Sequence, residues 1–238
     1  MTTPPQRVAI ITGASQGIGA ALVTAYREHG YAVVANSRSI RQSDDPGVVG
    51  VPGDIADPAT AEQVVTTAVD RFARVDSLLN NAGVFVSKPF TEYTAEDFEF
   101  ITAVNLRGFF HITQRSISQM LAQGDGGHIV NMTTTLAERG STAVPAAMAA
   151  LTKGGLASVT KSLAIEYAAH GIRVNAVSPG TIKTPMHAAD NYETLAKLHP
   201  LGRVGDIDDV VHGVMYLETA PFVTGEFLHV DGGQSAGN

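Results

Sequence analysis

The stretch Thr12-Gly-Ala-Ser-Gln-Gly-Ile-Gly19 constrains this chain more than any other. It follows the apolar run Val8-Ala-Ile-Ile11, which reads as a short buried strand. It opens a stretch of helical composition, Ala20 to His29, that ends at Gly30 as a helix C-cap. Three glycines therefore sit in a strand-to-helix turn. Gly13 permits the tight turn, Gly17 lets backbone approach a pyrophosphate, and Gly19 lets the helix pack close to the strand. The open N–H groups and positive dipole end of that helix favour a bound anion. Ser15, Gln16 and Ile18 lie within the turn and are candidate cofactor contacts; Ser15 has no nearby His/Asp partner of the hydrolase kind and suits a phosphate.

Beyond this turn, strand-like and helix-like runs alternate to the end of the chain. Tyr31 to Ala35, Val75 to Leu79, His128 to Met132, Ile172 to Val177 and Phe227 to Val230 read as further strands. Asn36 to Pro52 is polar and reads as a solvated loop. Asp57-Pro58 opens a helix, and Thr94 with Asp97 opens a capped helix running towards Leu121. Val144 to Ala169 is alanine-rich and helical, and Asp206 to Leu217 is a helix. The alternation predicts one α/β domain over residues 1–238, doubly wound around a seven-stranded parallel sheet.

Charge and composition exclude several functions. A formal net charge of -7 with no basic run disfavours nucleic acid and anionic membranes as partners. No apolar run approaches the ~20 residues that span a bilayer. The chain has no cysteine, and its eight histidines show no metal-ligand spacing, so no metal site is expected. These features lead to the expectation of a soluble cytoplasmic protein.

Several motifs in order resemble the short-chain dehydrogenase/reductase family, over nearly the whole chain. They are the Thr12 to Gly19 turn, Asn80-Asn-Ala-Gly83, Asn105 in Val-Asn-Leu, Lys153, Ser178-Pro-Gly180 with Ile182 and Thr184, and the two C-terminal stretches Pro200-Leu-Gly-Arg203 and Thr224 to Gly233. The resemblance implies a Rossmann-type domain, a nicotinamide cofactor, a substrate lid at about 184–200, and a homodimer or homotetramer built on the two central helices. In such sheets ligands bind outside the carboxyl ends of the strands. Asp54-Ile55, Asn81-Ala82-Gly83, Thr133-Thr134 and Pro179-Gly180 would then share one rim with the glycine turn. Asp54 can accept from the adenine amino group, and Asn81 to Gly83 let backbone approach the adenine ribose. Ser37 stands where an acidic residue would select NAD, and Arg38 follows it. A hydroxyl beside a guanidinium suits a ribose phosphate, so NADP is favoured over NAD, which stays possible.

The sequence departs from the family pattern at the proton donor. The resemblance calls for a tyrosine four residues before the lysine; the chain has Ala149, between Met148 and Ala150. The serine position falls in Thr133-Thr-Thr135, with Thr134 the best match and Thr133 or Thr135 still open. Thr134 to Lys153 spans nineteen residues, two more than the family spacing. Tyr167 is fourteen residues beyond Lys153, ~21 Å along a helix and too far to substitute. Tyr192, His187 or His199 from the lid, or a water, are the remaining donors. Lys153 can hold the nicotinamide ribose, the threonines can bind substrate, and Asn105 is either a relay residue or one that bonds backbone within its own helix. The reading is an NADP(H)-preferring oxidoreductase of a small carbonyl or alcohol compound, with Lys153, Thr134 and Asn105 as catalytic candidates. The alternatives are a cofactor-binding regulatory protein without turnover, and hydride transfer to a conjugated alkene.

Overall fold

The computed structural model describes residues 6–142, 144–185 and 192–237. Seven strands form one sheet in the order β3-β2-β1-β4-β5-β6-β7. They are β1 (Val8–Thr12), β2 (Ala32–Ser37), β3 (Val48–Pro52), β4 (Ser77–Asn80), β5 (Gly127–Met132), β6 (Ile172–Pro179) and β7 (Phe227–Val230). Every pairing is parallel, with Ile10 opposite Val34 on one side and Leu78 on the other. The strand order reverses between β1 and β4, which opens a crevice at their carboxyl ends.

The helices are α1 (Gly17–Glu28), α2 (Pro58–Phe72), α3 (Ala95–Thr102), α4 (Phe109–Gln123), α5 (Ala147–Glu166), α6 (Tyr192–Ala196) and α7 (Ile207–Thr219). Successive residues of β1 point to opposite faces, so each face carries its own core. Val8 and Ile10 meet Ala61, Val64 and Ala68 of α2 with Ile112, Ile117 and Met120 of α4. Ala9 and Ile11 meet Leu22 and Tyr26 of α1 with Val210, Val214 and Leu217 of α7. Local signals set the helix ends. Asp57 accepts from Ala59 N at 2.9 Å with Pro58 at the first turn. Thr94 and Asp97 form a reciprocal capping box.

Two expectations are corrected. The stretch 36–52 is not all loop: Val48–Pro52 pairs along β2 as the edge strand and completes the seven. Pro52 is tolerated because an edge strand needs only one ladder. The helix that begins at Thr94 does run on to Gln123, but not with α geometry throughout, since a π turn, Ala103–Gly108, lies between α3 and α4. No described helix is long and apolar enough to cross a membrane.

At the amino ends of the strands lies a buried polar cluster. Glu218, in the last turn of α7, accepts from Tyr26 (2.7 Å), Tyr31 (2.8 Å), Ser77 (2.9 Å) and His128 Nδ1 (2.8 Å). Asn175 Nδ2 donates to His128 Nε2 at 3.0 Å, which makes Nδ1 the protonated nitrogen of a neutral imidazole.

Candidate active site

A cavity of about 580 Å³ runs along the carboxyl ends of the strands. The glycine turn forms one wall. Gly13 and Gly17 have φ of +65° and +56°, which L side chains rarely adopt. A Cβ on Gly13 would stand 2.9 Å from Ala82 Cα, and one on Gly19 would strike the Gly13 carbonyl. A Cβ on Gly17 would meet Thr184 and Pro185 at ordinary contact distance, with Thr184 Cβ at 3.6 Å. Thr12 Oγ1 accepts from Asn81 N (3.1 Å) and Ala82 N (3.0 Å), and Asn81 Nδ2 donates to Thr12 O (3.0 Å), lacing the turns after β1 and β4 together. The N-cap of α1, Gln16, makes no side-chain capping bond, so the helix N–H groups face the cavity uncovered by that side chain. Backbone donors and two left-handed glycines fit a dinucleotide pyrophosphate.

Almost all of the candidate residues named above meet in this one cavity. Gly13, Ser15, Gln16, Gly17, Ile18 and Gly19 line it beside Ser37, Arg38, Asp54 and Ile55. Asn81, Ala82, Gly83, Thr134, Lys153, Pro179, Gly180, Ile182 and Thr184 line it further along. Arg38 is exposed at the end of β2. Asp54 Oδ1 accepts from Ala56 N at 3.0 Å, tying its turn to the start of α2. Asn105 does not line the cavity. Nor does its amide bond within its own helix: Nδ2 donates to Val84 O (3.1 Å) and Thr152 Oγ1 (3.2 Å), and Oδ1 accepts from Val84 N (2.9 Å). It pins the segment after β4 to the π turn.

The far end of the cavity holds the candidate chemistry. Lys153 Nζ donates to Met132 O at 2.8 Å. Burial, with no carboxylate partner among the described residues, pushes its pKa down to about 8. Ala149, one turn earlier on α5, is buried and lines the same space. Thr133 Oγ1 donates to Val177 O (2.9 Å) and Thr135 Oγ1 to Gln234 Oε1 (3.2 Å). Thr134 Oγ1 accepts from Leu136 N (3.3 Å), which leaves its proton for the cavity. No tyrosine or histidine is among the described lining residues. His199 is buried, with Nε2 accepting from Thr181 N (3.0 Å) and Nδ1 against Leu195 O (3.0 Å). Both its nitrogens are spent on holding α6 to the loop after β6. Tyr192 begins α6 outside the lining, and His187 falls outside the described residues, as does part of the lid segment. Sequence reasoning missed Phe85, Leu136, Val144, Leu195 and Leu198, which supply an apolar wall, and Gln234 of the C-terminal segment. Leu195 and Leu198 fall within the lid expected at about 184–200, and Gln234 directly follows the Asp231-Gly-Gly233 turn; the others carried no signal.

A sequence model of the family described as Enoyl-(Acyl carrier protein) reductase matches residues 13–235. A short-chain dehydrogenase/reductase of Armillaria gallica is 34% identical, over 95% of this chain and 95% of its own. Among solved structures, ElxO with NADP bound superposes with a TM-score of 0.90 at 27% identity, covering 98% of this chain and 100% of that one. The 3-ketoacyl-(acyl-carrier-protein) reductase of Brucella melitensis, complexed with NADH, gives a TM-score of 0.88 at 32% identity, covering 98% and 100%. The chain therefore belongs to the short-chain dehydrogenase/reductase family, whose oxidoreductase members in these two structures hold a nicotinamide cofactor.

Proposed function

We propose that the protein is an NADP(H)-preferring oxidoreductase that transfers hydride between a nicotinamide cofactor and a small carbonyl or alcohol compound. One observation carries this reading: a single cavity joins the glycine cradle at the start of α1 to Lys153 and Thr134 at its other end. The pyrophosphate would lie on the first turn of α1, the adenine end between Asp54 and Asn81, and the nicotinamide end over Pro179, Gly180, Ile182 and Thr184. Bound there, the cofactor supplies or takes up hydride. The chain's own part is to orient it through one Lys153 N–H on a ribose hydroxyl and to hold the substrate oxygen with Thr134. Asn105 positions the segment Gly83–Val84 rather than touching substrate. Arg38 is the reason for favouring NADP, since its guanidinium lines the cavity beside Ser37 and has no ion pair among the described residues.

Exposed apolar side chains on the central helices, Phe110 of α4 with Leu151 and Ile165 of α5, support a homodimer or homotetramer, and the molecule is read as cytoplasmic. Fluorescence titration with NADPH and NADH, followed by NAD(P)H consumption across a carbonyl panel, tests the proposal. Binding of neither nucleotide at millimolar concentration would sink it.

Ala149 favours a second reading, a cofactor-binding protein without turnover. It predicts tight NADPH binding, no consumption on any carbonyl, and a large gain of reduction in Ala149→Tyr. Product analysis with a labelled hydride separates carbonyl from alkene reduction.

A further inference from the structure

Reduction of a carbonyl leaves an alkoxide that must take a proton from something in the cavity. The lining hydroxyls are poor sources, because an alcohol is no more acidic than the alcohol being formed. Thr133 and Thr135 also have their protons committed, to Val177 O and Gln234 Oε1. Among the described residues, three charged side chains line the cavity: Arg38, Asp54 and Lys153. The first two come from the ends of β2 and β3, at the cavity's opposite end. An ammonium carries three donors. Met132 O at 2.8 Å is the acceptor that holds Nζ, which leaves two N–H groups for the cavity. Gly83 keeps the β4 side clear, since a Cβ there would stand 3.0 Å from Nζ. Ala149 and Lys153 are four residues apart on α5, neighbours on one face at ~5–6 Å between Cβ atoms. A methyl at 149 leaves room for a substrate oxygen to come up to Nζ.

We infer that Lys153 is itself the acid of this site, passing a proton from its ammonium directly to the substrate oxygen. The inference rests on the reductase reading above. The carbonyl carbon receives hydride from the reduced nicotinamide, which is oxidised as the carbonyl is reduced. The C=O π pair moves to oxygen, an Nζ–H bond breaks, an O–H bond forms, and the neutral amine regains a proton from solvent. The ammonium is tuned for this by burial alone, which brings its pKa to about 8, near working pH. No ionisable side chain from the turn after β4, the π turn, the end of β5 or α5 shifts it.

Four measurements test this. In the cofactor-free protein, the NMR titration of the Lys153 ε-amine is expected near pH 8; a value near that of free lysine overturns the inference. With ethyl acetoacetate and butane-2,3-dione as probes, kcat for reduction is expected to fall above pH ~8. Lys153→Arg keeps charge and donors but cannot release a proton, so at saturating NADPH, whatever the change in its Kd, turnover should fall roughly 10²–10⁴-fold. In Lys153→Ala, added methylamine or ethylamine should restore reduction in a saturable way. Unchanged turnover and pH profile in Lys153→Arg, or no amine rescue of Lys153→Ala, overturns the lysine's role and leaves the reductase reading standing. Failure of the wild-type protein to consume NADPH sinks both.

Discussion

At the scale of single residues, the cavity depends on atoms that are missing as much as on those present. Gly13 is the sharpest case, because its φ of +65° and its 2.9 Å clearance to Ala82 Cα both exclude a side chain. Gly13→Ala should lower stability by about 1–3 kcal/mol through backbone strain, and weaken NADPH binding at least about tenfold, read by thermal melts and fluorescence titration. Arg38 belongs to the same scale, and in the proposed reading its contribution is of the opposite kind, a charge that would discriminate between the two nucleotides. Arg38→Ala should weaken NADPH by about 10–100-fold while leaving NADH nearly unchanged, the loss of one charge-assisted contact. Both residues could be placed at the cavity from the sequence: a left-handed turn demands glycine, and Arg38 directly follows the end of β2, where it lines the cavity. The apolar wall of Phe85, Leu136 and Val144 could not, since such side chains look the same in a core and in a binding cavity. The role of Asn105 also escaped, because its partners Val84 and Thr152 are set by the fold and not by neighbours in sequence.

At the scale of elements, legibility followed signal length. Strand β1 and helices α2 and α7 carry caps and apolar periodicity over whole turns, and they stand where expected. Strand β3 is five residues, with Gly50 and Pro52 inside it, so it resembles a loop until β2 is there to pair with it. The π turn at Ala103–Gly108 adds a residue to a helical ring, a change that composition does not mark. What ties the elements together is Glu218, through which α7 takes donors from α1, from the entry to β2, and from β4 and β5. Glu218→Gln keeps the shape but removes the charge and leaves donors facing donors. It should destabilise the fold by roughly 2–4 kcal/mol, lowering Tm by ~5–15 °C, while NADPH affinity stays within about twofold.

At the scale of the whole molecule, the same cluster sets the response to acid. Desolvation raises the pKa of Glu218, but bonds from His128, Tyr26 and Tyr31 outweigh it and bring it down to about 2, below the 4.5 of an exposed glutamate. Burial also pushes His128 below 6.5 and keeps it neutral. In both cases the unfolded chain binds more protons than the folded one, so stability falls as pH falls. The histidine contribution is lost as pH drops below about 6.5 and the glutamate contribution as it drops from 4.5 towards 2. Urea midpoints measured from pH 7.5 to 3 should decline in two stages, and the lower stage should vanish in Glu218→Gln. Because this cluster grips the amino ends of the strands and the cavity opens at their carboxyl ends, the sheet insulates its anchorage from its workshop. A saturation library at Phe85, Val144, Leu195 and Leu198 would accordingly be a sound starting point for new substrates: most of its members should melt near the parent, so that selection there samples reactivity instead of salvaging folding.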